Sequence, residues 1–134
     1  MEENSVEKFL ADALEDQKIP LVVQRFVVLG FLLWHVRLIK SEEDFKQEIH
    51  SIRSLLPNAY FEDSIKRSKE KVRDDLGQAL LTYSQLLSRK ISYRYINEKP
   101  PVPSERQVAE AIDLGMKLKV QFSKCQDKVR INNN

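Results

Sequence analysis

Few side chains in this sequence are suited to acid–base or nucleophilic chemistry. His35 and His50 are the only imidazoles. His35 lies in the most apolar stretch, where a satisfied core histidine is expected, and His50 adjoins Ile49 at a helix edge. Neither follows an arginine at the short step that a helical ribonuclease with Arg and His on one helix would need. There is no Gly-x-Ser-x-Gly elbow, phosphate loop or dinucleotide fingerprint. Cys125 is the only cysteine, which excludes an internal disulfide framework and a Cys-based zinc cage. It suits a reducing, cytoplasmic compartment.

Carboxylates offer one enzymatic alternative, a Mg²⁺-dependent helical nucleotide pyrophosphatase. That chemistry needs several acids converging from two or more helices to hold a hard cation through oxygen. Asp44 with Glu48 and Glu70 with Asp74 stand one turn apart, so each pair would share a helix face. Lys46, Lys66, Arg67, Lys69, Lys71 and Arg73 crowd the same segments. Glu62 with Lys66, Asp63 with Arg67 and Lys71 with Asp75 are all placed for local i,i+4 pairing. A self-paired, solvated face accounts for these acids, so no metal, cofactor or catalytic residue is expected.

Two basic regions suggest anion binding. Arg89, Lys90, Tyr93, Arg94, Tyr95 and Lys99 form a basic and aromatic run. Arginine forks bind phosphate and tyrosine rings stack on unpaired bases, which suits RNA or single-stranded DNA. Cations are also favourable at any helix C-terminus. A second region depends on folding. If residues near 100 turn a hairpin, Lys66, Arg67, Lys69, Lys71 and Arg73 approach Lys124, Lys128 and Arg130. Glu70, Asp74, Asp75 and Asp127 would offset them, leaving a surplus of about four charges for phosphates. A solubilising helix end is the plainer explanation.

These residues need helices to position them. Asn4 or Ser5 can cap a first helix, on which Val6, Phe9, Leu10, Ala13 and Leu14 form one stripe. Pro20 is placed to start a second helix, roughly 20–40, that is apolar on almost every side. A β-hairpin turning at Gly30 is its alternative, although it would have no sheet to join. Ser41 and Asp44 cap a third helix with Phe45, Ile49, Ile52 and Leu56 on its core side, ended by Pro57-Asn58. A long fourth helix is expected from Glu62 to Tyr95, striped by Val72, Leu76, Ala79, Leu80, Tyr83, Leu86, Leu87 and Ile91. The Pro100-Pro101-Val102-Pro103 segment stops it. Ser104 and Gln107 cap a fifth, running to Val129 with Val108, Ala111, Gly115, Leu118, Phe122 and Cys125 along its seam. Mid-helix Gly77 and Gly115 each cost about 1 kcal/mol against alanine, which points to close backbone approach.

The expected fold is therefore all-α, a single five-helix domain over 1–134. Three shorter helices (1–57) would pack on an antiparallel hairpin of helices near 62–96 and 104–129. With 134 residues, 42% apolar and 31% charged, the chain can bury a core without a staple. Its longest uninterrupted apolar run, Phe26–Trp34, is about 14 Å as a helix, too short to span roughly 30 Å of hydrocarbon. The net charge of +2 conceals an asymmetry: residues 1–67 hold nine cations and twelve acids, residues 68–134 thirteen and eight. The apolar second helix exceeds what one side of a bundle must bury. Phe26, Phe31, Trp34, Arg37 and Leu38 are thus expected at an interface, with Trp34 and Arg37 as a hot spot. Alternatively it is the central helix, wrapped by the others. The function expected is a non-enzymatic protein–protein interaction module, a homo-oligomer or an adaptor subunit. A nucleic-acid-binding accessory protein using the basic regions is the alternative.

Overall fold

A computed structural model describes the backbone of residues 2–132 and the side chains of residues 6–127. The chain is all-α, in six helices: α1 (Glu2–Asp16), α2 (Leu21–His35), α3 (Glu42–Ser54), α4 (Pro57–Lys71), α5 (Asp75–Arg94) and α6 (Glu105–Asn132). Residues 20–40 form a helix, not a hairpin. The expected fourth helix is two: it starts earlier, with Pro57 at its first position, and breaks at Val72-Arg73-Asp74. The break has a local cause. Asp74 adopts extended backbone and its Oδ1 accepts the Gly77 N–H at 3.0 Å, so it caps a new helix. A Cβ on Gly77 would come within 2.7 Å of the Val72 side chain, so the glycine lets the chain turn tightly there. Glu70 and Asp74 therefore share no helix face, and neither do Lys71 and Asp75.

Several other ends follow their residues closely. Ser104 and Gln107 make a reciprocal capping box: Gln107 N–H donates to Ser104 Oγ (3.1 Å) and Ser104 N–H to Gln107 Oε1 (2.9 Å). Ser41 Oγ accepts the Asp44 N–H, while Asp44 reaches back to the Lys40 N–H. Helices α1 and α2 end in Schellman motifs. Lys18 N–H donates to Glu15 O and Ile19 N–H to Leu14 O; Arg37 N–H donates to Trp34 O and Leu38 N–H to Leu33 O. Lys18 and Arg37 occupy the left-handed position that usually takes glycine, with φ of 53° and 64°.

Helix α2 is the centre of the molecule. Nine of its fifteen residues are buried, and it packs against α4, α5 and α6. It runs parallel to α6 and antiparallel to α5, since Arg25 meets Ser88 and His35 meets Asp74. Helices α5 and α6 lie on different sides of it and do not pack along each other. This overturns the expected hairpin: the seam of Val108, Ala111, Gly115, Leu118 and Phe122 faces inward, with α2 as its principal partner. The close approach expected of Gly115 is real, but its counterpart is Gly30. A Cβ on Gly115 would lie 2.0 Å from Val27 O, and one on Gly30 2.2 Å from Ile112 O, so the α2 and α6 backbones touch. Helix α1 covers α5 and α6, with the Phe9 ring edge-on to Phe122 at 5.1 Å. Helix α3 covers α6 and α4. Leu56, expected on the core stripe of the third helix, caps α4 instead and is 78% exposed.

Candidate functional site

The central place of α2 decides the first set of residues. Phe26 and Phe31 have no exposed surface: Phe26 meets the Phe61 ring edge-on at 5.6 Å and Phe31 tilts against Phe122 at 5.7 Å. The interface expected for these two is corrected, because their apolar area is consumed inside the bundle. Trp34 and Leu38 are half-buried against the same core, and only Arg37 is exposed. The surplus of apolar residues on α2 is what a helix surrounded by others requires.

Three clusters at the element junctions use the charged residues of the inner surfaces. Arg25 extends from α2 between α4 and α5. Its guanidinium lies 4.5 Å from the Phe61 ring centroid, donates to Asn58 Oδ1, and reaches Ser88 Oγ at 3.3 Å. Burial lowers its pKa, with the charge of Glu62 opposing that effect. On α3, the buried Glu48 carboxylate accepts from Tyr60 Oη (2.7 Å) and from Arg67 Nη2 (2.6 Å), both on α4. Burial and the adjacent Glu48 push the Tyr60 hydroxyl far up. Burial disfavours the Arg67 cation, but the bond and charge of Glu48 outweigh it and hold its pKa high. Arg67 also pairs with Asp63 at 3.3 Å, as its i,i+4 spacing predicts. It is therefore committed to the fold and withdrawn from the phosphate-binding set. Glu48 is likewise occupied by protein donors.

At the other end of α2 from Arg25, His35 Nε2 lies 2.9 and 3.0 Å from the two Asp74 oxygens. Partial burial opposes ionisation of Asp74. The hydrogen bonds from His35 and the Gly77 N–H, together with the histidine's charge, outweigh that and lower its pKa. Nearby, Lys119 is depressed by burial and donates to Ser123 Oγ at 2.6 Å. A hydroxyl beside an amine can serve as nucleophile and base. Both sit mid-helix here, where the surrounding N–H groups are used by the helix and offer no oxyanion hole. Among the described residues, no group of three or more His, Cys, Asp or Glu could hold a metal ion.

The packed hairpin on which the second basic region was expected to depend is absent among the described residues. Lys66 and Lys69 are exposed on α4, Lys124 on α6, and these two helices are not a packed pair. Lys128 and Arg130 lie outside the described side chains.

The first basic region, by contrast, is intact and open. Ile91 is the last buried residue of α5, and of residues 92–99 only Tyr95 is even partly covered. Arg89, Lys90, Arg94 and Lys99 are all exposed, and none is in an ion pair among the described residues; Glu98 is the one acid in the segment. Tyr93 is 78% exposed and Arg94 leans over the Tyr95 ring at 6.0 Å. Two further residues were not singled out by their sequence. Ile96 is 72% exposed and Val102 61%. Their signal was an aliphatic residue on either side of Lys99-Pro100-Pro101, in a connection without helical periodicity to draw it inward. Because α5 is antiparallel and α6 parallel to α2, this tip shares its end of the bundle with the α1–α2 turn. A cavity of about 310 Å³ also opens there, walled by Ile19, Pro20, Val23, Val27, Ala111 and Leu114 with Gln17, Gln107 and Glu110.

Comparison of this chain with protein-family models, curated proteins and solved structures finds no match.

Proposed function

We propose that the protein is a non-enzymatic helical docking module that engages an anionic partner through the α5–α6 tip. The observation that carries this reading is the company kept by three of the six exposed large apolar residues among the described ones. Tyr93, Ile96 and Val102 stand in one short segment with four exposed cations that form no ion pair among the described residues, while the Phe26 and Phe31 rings of α2 are enclosed. Exposed apolar groups rimmed by polar residues mark interaction sites. A cytoplasmic site of action fits the lone, exposed Cys125. The case for an adaptor or oligomer rests on this tip, not on α2. A single-stranded nucleic acid is the second reading, favoured by the Tyr93 ring standing free near Arg89 and Arg94.

Retention on immobilised heparin, a generic polyanion, tests the reading. The protein should bind at low salt and elute as salt rises. The double variant Arg94→Glu/Lys99→Glu should elute much earlier with an unchanged melting temperature. An identical elution profile for the variant would remove the tip as an anion-docking surface.

A further inference from the structure

Resting on that docking reading, we infer that the tip binds an anionic lipid surface, with Ile96 and Val102 entering the headgroup boundary and the surrounding cations holding anionic headgroups. Charge and apolarity both decide the occupant. Four cations against one acid over residues 89–99 leave a surplus of three, which selects an anionic partner. A nucleic acid would satisfy the charge and could stack on Tyr93, but single strands are held mainly on aromatic platforms, which Ile96 and Val102 do not provide. Aliphatic side chains have no π-face with which to hold a base. A bilayer provides both environments at the right depths: an acyl boundary for the aliphatics, a polar belt for an amphipathic tyrosine, and phosphates for arginine and lysine.

The backbone suits shallow insertion. The helical turn after Ile91 stands clear of the core, and the Tyr95–Glu98 turn, with Glu98 N–H donating to Tyr95 O, holds Ile96 at the apex. On the other side, Pro100, Pro101 and Pro103 restrict the backbone around Val102, and Pro103 is itself buried. Val102 is thus displayed on a proline-stiffened connection beside the buried Pro103, which limits the ordering needed on binding. No helix among the described residues is long and apolar enough to cross a membrane, and this mode requires none.

Co-sedimentation with vesicles provides the test. The full chain should bind vesicles of phosphatidylcholine containing phosphatidylserine and should not bind pure phosphatidylcholine. Each surface cation contributes roughly a fivefold gain on anionic lipid, so Arg94→Gln/Lys99→Gln should weaken binding about 25-fold. Ile96→Ser/Val102→Ser, which leaves the charge unchanged, should weaken it by about tenfold. Binding that ignores the Ile96/Val102 variant would overturn insertion. Binding to an oligouridylate but not to the vesicles would overturn the lipid assignment while leaving the docking reading in place. Failure to bind vesicles, with heparin retention still sensitive to Arg94→Glu/Lys99→Glu, would do the same. Failure on vesicles and heparin alike would end both.

Discussion

Tyr60 with Arg67 and Tyr93 with Arg94 are the same two kinds of side chain in opposite settings. The Tyr60 ring is fully enclosed, and its hydroxyl shares the Glu48 carboxylate with the Arg67 guanidinium. Tyr93 and Arg94, on the final turn of α5, are open to solvent and share no carboxylate. A helix stripe explains the difference. Glu48 projects from α3 onto α4 at the level of Tyr60, so burying the ring brings an acceptor with it. Between Ile91 and Pro103 the sequence offers the cations of the tip a single acid, Glu98. The lesson is that residue type alone does not mark a binding surface; the presence or absence of an internal acceptor does.

The comparison breaks first at Glu48. Glu48→Ala leaves the Tyr60 hydroxyl and the Arg67 guanidinium without their acceptor. Removing one partner of a buried pair costs roughly 3–5 kcal/mol, and the partial exposure of Arg67 lowers the expectation to about 2–3 kcal/mol in urea unfolding. A loss below about 1 kcal/mol would mean the buried pair matters no more than the exposed one. Arg37 sharpens the contrast with a third arginine, exposed but set by the backbone. Arg37→Gly should stabilise the protein by about 0.5–1 kcal/mol, because a left-handed non-glycine is strained; destabilisation would show the side chain to be in use.

Asp74 yields a smaller, pH-dependent effect. Its native pKa is lowered, so its carboxylate contributes stability that is present above the ordinary aspartate value of about 3.9. That contribution disappears as pH falls through the lower native value. Asp74→Asn keeps the cap but removes the charge. The variant should therefore be less stable than the parent at neutral pH and converge with it as pH falls through that lowered native value, measured by thermal melts. Parallel curves across that range would contradict the assignment. Smallest of all, Tyr93→Ala and Arg94→Ala should each change stability by less than about 0.5 kcal/mol while altering heparin elution.

The fold was legible where a single residue dictates a local bond. Ser41 and Ser104 announce their helices, and the stripes of α1 and α5, and of α6 as far as Phe122, fall on buried or half-buried positions, while Cys125, expected on the same seam, is exposed. It was illegible where choice of partner matters. Because α2 is apolar all round, its pattern gives no direction, and Gly30 reads as easily as a turn as it does as a point of helix contact. The break at Asp74 carried a cap signal of its own, obscured by the apolar positions continuing from Val72 to Leu76. Part of the tip was visible as a cluster of cations and tyrosines. Its aliphatic component became apparent only from exposure, because a sequence does not say on which side of a proline segment a valine will stand.

The contact between Gly30 and Ile112 has a consequence for how the chain is made. The central helix leaves the ribosome about eighty residues ahead of the part of α6 that it touches most intimately. At typical translation rates of 5–20 residues per second, that interval lasts roughly 4–16 s. Throughout it, Phe31 and its neighbours on the α6 side of α2 have no complete shelter, and a nascent chain stopped before residue 105 would leave that side uncovered. The most protected part of the finished molecule is thus the one most in need of a chaperone during synthesis.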